Sequence, residues 1–140
     1  MRSILVILFI LSFNFSIDIE IITTNDLHGN IAPQKAWFMN PSFPPDIIGG
    51  AGLLKYVKDS KKNSDSEVLI FDAGNFFQGH PYGMSDGGLD IVNWMNDVGY
   101  TALVPGENDF ILGQDNLNNL ANQANFPFVM SNLICNNCDL

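Results

Sequence analysis

Short apolar runs alternate with amphipathic stretches along most of the chain. Residues 17–24 are rich in Ile and Thr, which predicts a buried strand, and they lead straight into the polar turn Asn25-Asp26-Leu27-His28-Gly29-Asn30. Pro33, Pro41, Pro44 and Pro45 then mark a loop in which regular structure is not expected. Over residues 49–62, Leu53, Leu54 and Val57 share one face and Lys55, Lys58, Lys61 and Lys62 lie mostly elsewhere, which predicts a helix. Residues 67–72 read as a second strand that ends in Ala73-Gly74-Asn75. A helix over 86–100 places Ile91, Trp94, Met95 and Val98 at positions i, i+3, i+4 and i+7. A short third strand over 101–104 runs into Pro105-Gly106-Glu107-Asn108-Asp109. Another helix over 114–125 carries Leu117, Leu120, Ala121 and Ala124 on one face, and a fourth strand over 126–130 ends at Ser131-Asn132. The expected order is β-loop-α-β-α-β-α-β. Strands alternating with helices predict an α/β fold with a mostly parallel sheet covered on its faces.

Each of the first three strands is followed at once by a turn that combines Gly with Asp, Asn, His or Glu. In sheets of this kind ligands bind beyond the carboxyl ends of the strands, so the three turns are expected to meet. Asp26 and His28 put a carboxylate and an imidazole two residues apart on one irregular turn, a donor mixture suited to Zn, Mn or Fe rather than Ca. An isolated Asp-x-His is more often ordinary turn chemistry. It gains weight because Asn75 and the Glu107-Asn108-Asp109 run offer oxygen ligands at two other strand ends.

Composition narrows the partners. The 140 residues suffice for one small domain, and 46% hydrophobic with 15% charged residues is a globular composition. A formal net charge of −9, with only six Lys and Arg, argues against a nucleic acid polymer as partner, because phosphate backbones require clustered basic residues. An acidic protein can still hold a phosphate ester if metal ions supply the positive charge. At the amino terminus, Arg2 precedes an unbroken apolar run over 4–11 and a more polar stretch over 12–16. This is the layout of a secretory signal peptide over residues 1–16, with cleavage expected after Ser16, and the run is too short for a transmembrane span. A buried strand is the plainer reading of the same run. Cys135 and Cys138 lie near the carboxyl end, where an exported protein could form a local disulfide and where a metal knuckle would lack its second Cys pair.

The motifs taken together resemble the calcineurin-like metallophosphoesterases, in the version found in 5′-nucleotidases, UDP-sugar hydrolases and 2′,3′-cyclic-nucleotide phosphodiesterases. Thr24-Asn25-Asp26-Leu27-His28-Gly29 is similar to the first motif of that group, and Ile48-Gly49-Gly50-Ala51 to its Gly-Gly segment. Phe71-Asp72-Ala73-Gly74-Asn75, continuing to Gly79, resembles an Asp-Ala-Gly-Asp-x-x-x-Gly motif. Gly106-Glu107-Asn108-Asp109-Phe110 stands where the group has Gly-Asn-His-Glu-Phe, and Ser131-Asn132 resembles a later Ser-Ala-Asn segment. The resemblance implies a partial metallophosphoesterase domain over 17–140, the amino-terminal part of an α/β sandwich. It further implies two divalent metal ions (Zn, Mn, Mg or Co) and a small phosphate-ester or nucleotide substrate, while the signal-peptide layout predicts an exported location: periplasmic, cell-surface or extracellular. The metal-ligand positions it assigns are Asp26, His28, Asn75 and Glu107.

The sequence departs from that pattern at several of these positions. Asn75 replaces the Asp that bridges the two metals, Glu107 the ligand Asn, and Asn108 the catalytic His; Ile111 stands where an Asp pairs with that His. An amide oxygen carries no net charge and bridges two dications poorly, and Asn108 cannot act as an acid near neutral pH. The change at 75 removes one negative charge and the change at 107 restores it, so Glu107 is a candidate substitute bridge. The group completes its site with further His residues downstream, whereas His28 and His80 are the only two here. His80 is a candidate substitute ligand or, more simply, an exposed loop residue.

Overall fold

The computed structural model describes residues 17–63 and 66–132, and nothing of the side chain of Asn63. The apolar run over 4–11 and the Cys135–Cys138 pair lie outside the described residues. Three strands, β1 (Ile19–Thr24), β4 (Glu67–Asp72) and β5 (Ala102–Leu103), form a parallel sheet in the order β1-β4-β5. The expected loop between β1 and the first helix contains a small antiparallel hairpin, β2 (Gln34–Lys35) paired with β3 (Asp46–Ile47). The prolines did not exclude these strands because none of the four falls within them. Pro45 takes part through its carbonyl, which accepts the Ala36 N–H.

The helices fall where their apolar spacing placed them. α1 (Gly50–Asn63) buries Val57 and carries Lys61 and Lys62 in its last turn, where they face the negative end of the helix dipole. α3 (Leu89–Val98) buries Ile91, Val92, Met95 and Val98 and stops at Gly99, in the left-handed conformation that ends many helices. α4 (Gln114–Gln123) buries Leu117 and Leu120. Two further elements were not expected from the sequence: the single turn α2 (Pro81–Met84) and a 3₁₀ helix over Glu107–Phe110.

The expected fourth strand is reduced to one parallel bridge between Leu103 and Phe128, flanked by Leu103 N–H to the Pro127 carbonyl and Val129 N–H to the Leu103 carbonyl. Pro127 has no N–H to give a longer ladder. The segment is instead held by its rings: Phe126 stacks on Phe128, and Phe128 meets Phe76 edge-on.

Register assigns the sheet's two faces. Val68, Ile70 and Asp72 of β4 share one face with Leu103 of β5, and all four are buried beneath the helices. The other face carries Ile19 and Ile21, which are 59% and 63% exposed, beside the half-buried Leu69 and Phe71. Among the described residues no helix covers that second face.

Candidate functional site

The turns after β1, β4 and β5 converge, as the alternation of strands and helices required. The first two run side by side: Asp26 N–H bonds the Gly74 carbonyl, His28 N–H the Asn75 carbonyl and Gly29 N–H the Phe76 carbonyl, at 2.8–2.9 Å. The third turn is fastened by Asp109. Its carboxylate accepts the N–H groups of Asn75, Phe76 and Gly106 at 2.8–3.0 Å, and it is fully buried. Burial pushes the Asp109 carboxyl up, against the pull of those N–H donors. The close approach explains Gly74: a Cβ there would collide with the Gly106 nitrogen, and its φ of 99° suits glycine in any case.

Three of the proposed ligand residues meet at this junction, and each adopts a left-handed backbone, with φ of 51° at Asp26, 48° at His28 and 58° at Asn75. Asp, Asn and His are the non-glycine residues most tolerant of that region, and such conformations cluster at functional sites. His28 Nδ1 lies 2.7 Å from the Gln78 carbonyl oxygen. A carbonyl can only accept, so Nδ1 carries the proton and Nε2 is the ring nitrogen left to face an ion. That nitrogen lies 3.7 Å from Asp26 Oδ1. A ring oriented by a backbone carbonyl is a common arrangement behind a metal-binding His.

Asp26 is already occupied on both oxygens. Asn75 Nδ2 donates to Oδ1 and Asn25 Nδ2 donates to Oδ2, each at 2.8 Å. These two bonds, Asn75 first, hold the Asp26 carboxyl below its usual value. The other end of the Asn75 amide, Oδ1, accepts the Asn108 backbone N–H at 3.1 Å. The Asn75 side chain is therefore spent at both ends. This also fixes its orientation, since reversing it would set oxygen against carboxylate and NH₂ against N–H.

Glu107 and Asn108 open the 3₁₀ helix beside this junction. Asn108 touches it through its backbone, and the Glu107 side chain is exposed. His80 joins the His28 turn through its backbone, its N–H bonding the His28 carbonyl at 2.8 Å, while its side chain caps a helix: Nδ1 accepts the Tyr82 N–H at 3.2 Å. Among the described residues no three His, Cys, Asp or Glu side chains gather to hold a metal ion. The donors present fit one ion at Asp26 and His28 Nε2, with Asn75 beside them. They do not fit a pair of ions bridged at residue 75, because the Asn75 amide oxygen and nitrogen are both engaged.

The sequence reading placed Asp109 among oxygen ligands by type, and the structure gives its carboxylate to backbone N–H groups. Its position three residues after Gly106, at the start of a helical turn, was the available sign that its carboxylate would cap the Gly106 N–H. The Gln78 carbonyl that orients His28 left no trace in the sequence.

No family model matches the chain. The snake venom 5′-nucleotidase of Gloydius brevicauda is 29% identical over 119 residues, which cover 84% of this chain and 20% of that protein. Among solved structures, a 5′-nucleotidase precursor of Thermus thermophilus superposes with a TM-score of 0.69 at 24% identity, over 81% of this chain and 22% of that one. A calcineurin-like phosphoesterase of Bacillus subtilis superposes with a TM-score of 0.60 at 23% identity, over 79% and 36%. The chain thus spans about a fifth of the length of the curated relatives it matches. By sequence the chain is similar to 5′-nucleotidases over about a fifth of their length, and its fold is that of solved structures of a 5′-nucleotidase precursor and a calcineurin-like phosphoesterase.

Proposed function

We propose that this chain is the amino-terminal part of an exported, metal-dependent phosphoric-ester hydrolase of the 5′-nucleotidase type. The observation that carries the reading is the meeting of Asp26, His28 and Asn75 at the carboxyl ends of adjacent parallel strands, with His28 Nε2 free to coordinate. Asp26 and His28 would hold a divalent ion, which supplies positive charge to a phosphoryl oxygen when bound. The Gln78 carbonyl keeps the His28 ring turned toward Asp26, and Asn75 holds the Asp26 carboxylate in place. Substrates are nucleotides or related small phosphate esters.

A second reading is favoured by one specific observation. The Asn75 amide closes the junction on itself, as donor to Asp26 and acceptor from Asn108, without any ion. Together with Asn108 in the acid's place, this supports a domain that binds a ligand without turning it over. The two readings separate in a hydrolysis assay on the polypeptide that carries this chain, with Mn, Zn, Co and Mg, following the release of phosphate from AMP, of glucose 1-phosphate and UMP from UDP-glucose, and of adenosine monophosphate from 2′,3′-cyclic AMP. Release that is lost in Asp26→Asn and His28→Gln supports the hydrolase. No release with any metal, with the fold intact by circular dichroism, supports the binding domain.

A further inference from the structure

A glycine in the turn after β4 lies against the ring of His28. Gly79 has a φ of 125°, and a Cβ there would stand 3.0 Å from His28 Cβ, 3.2 Å from Nδ1 and 3.3 Å from Cγ. All three are closer than atoms in ordinary van der Waals contact. The residues on either side hold His28 by main-chain groups. The Gln78 carbonyl oxygen lies 2.7 Å from Nδ1, and the His80 N–H bonds the His28 carbonyl at 2.8 Å. Residues 78–80 therefore grip both the ring and the backbone of His28, with a bare Cα at the centre of the grip.

The His28 backbone has little freedom to retreat from a side chain at 79. Its N–H bonds the Asn75 carbonyl at 2.9 Å, and its own carbonyl accepts from His80. The ring is less constrained: 41% of the side chain is exposed, so the bond to Gln78 rather than enclosure fixes its orientation. A Cβ at 79 would turn the ring off the Gln78 carbonyl, and with that bond goes the reason for the proton to sit on Nδ1. On the reading of His28 as a metal ligand, we propose that Gly79 is its positioning residue. The missing side chain leaves the room in which the ring reaches the Gln78 carbonyl and keeps Nε2 available to an ion.

The test reads the tautomer first and the metal second. The chain has two His, and they make an internal contrast. His28 should carry its proton on Nδ1, whereas His80, whose Nδ1 accepts the Tyr82 N–H, should carry it on Nε2. Long-range proton–nitrogen spectra of the full chain, free of metal at about pH 8 where an ordinary imidazole is neutral, should show one ring of each kind. His80→Gln assigns them. In Gly79→Ala the His28 ring should shift toward the Nε2-protonated form, and zinc affinity by calorimetry should fall about tenfold or more. Gly99→Ala is the control: its φ is also positive, at 86°, and a Cβ there meets only the end of the Lys61 side chain. That variant should melt lower and keep the native tautomer and zinc affinity. If Gly79→Ala does not fold, the double variant His28→Ala, Gly79→Ala decides, and it should fold because the ring that obstructs the Cβ is gone. Three results would overturn the proposal: an Nε2-protonated His28 in the native chain, an unchanged tautomer in Gly79→Ala, or a double variant that unfolds like the single one. A tautomer that shifts as expected in a chain that takes up no zinc upholds the role of Gly79 in orienting the ring and overturns the metal reading instead.

Discussion

At the residue scale, the junction is held by buried carboxylates whose oxygens serve backbone N–H groups. Asp109→Ala would strand the N–H groups of Asn75, Phe76 and Gly106 and should cost about 2–4 kcal/mol, read by urea denaturation. Asp72 is equally buried; Thr24 and Gly74 donate to it, and burial pushes its carboxyl above the ordinary value. The unfolded chain releases this proton near pH 4 and the folded chain at a higher pH. Between the two the folded state binds more protons, so the contribution of Asp72 to stability declines as pH rises. The stability of Asp72→Asn relative to the native chain should therefore improve as pH is raised from about 4 toward neutrality, measured as melting temperatures at successive pH values. Asn75→Asp makes the complementary case. It replaces a hydrogen bond to Asp26 with two facing carboxylates, so the variant should melt lower than the native chain in chelator. Saturating Mn or Zn at a hundred times Kd should restore about 2.7 kcal/mol, and the native chain should respond less. An equal response in both would show that the amide is no obstacle to metal.

At the element scale, the sequence disclosed what hydrophobic periodicity encodes and little else. α1, α3 and α4, and the strands β1 and β4, were legible because one face of each is apolar at the period of its own geometry. The meeting of Asp26, His28 and Asn75 was legible as well, since it follows from the order of parallel strands. The hairpin was not, because two-residue strands carry no period. The fourth strand was overread: the apolar run over 126–130 is real, but Pro127 limits its ladder and aromatic contacts fix it. The turn α2 escaped notice because its signal is a single His-Pro step, in which His80 caps and Pro81 occupies the first helical position. His80→Ala should cost about 1 kcal/mol through the lost cap and leave metal content unchanged, as measured by thermal melts and elemental analysis.

At the scale of the whole molecule, the sheet is covered on one side only among the described residues. Purely parallel sheets are ordinarily buried on both faces, and the uncovered face here carries Ile19, Ile21, Leu69 and Phe71. Ile19 and Ile21 contribute little to stability while they remain exposed. The double variant Ile19→Thr, Ile21→Thr should shift unfolding by no more than about 0.5 kcal/mol per site and should lower self-association, seen in sedimentation velocity. A loss above about 2 kcal/mol would show that this face is covered in solution.

The left-handed backbone at position 75 bears on how the altered motif could arise. Asn enters that conformation at least as readily as Asp, and here its amide also satisfies Asp26 and Asn108 without help from an ion. A change from Asp to Asn at this turn would therefore have met no resistance from folding, whatever it did to chemistry. Folding alone thus favours the amide at position 75, which needs no ion to balance it.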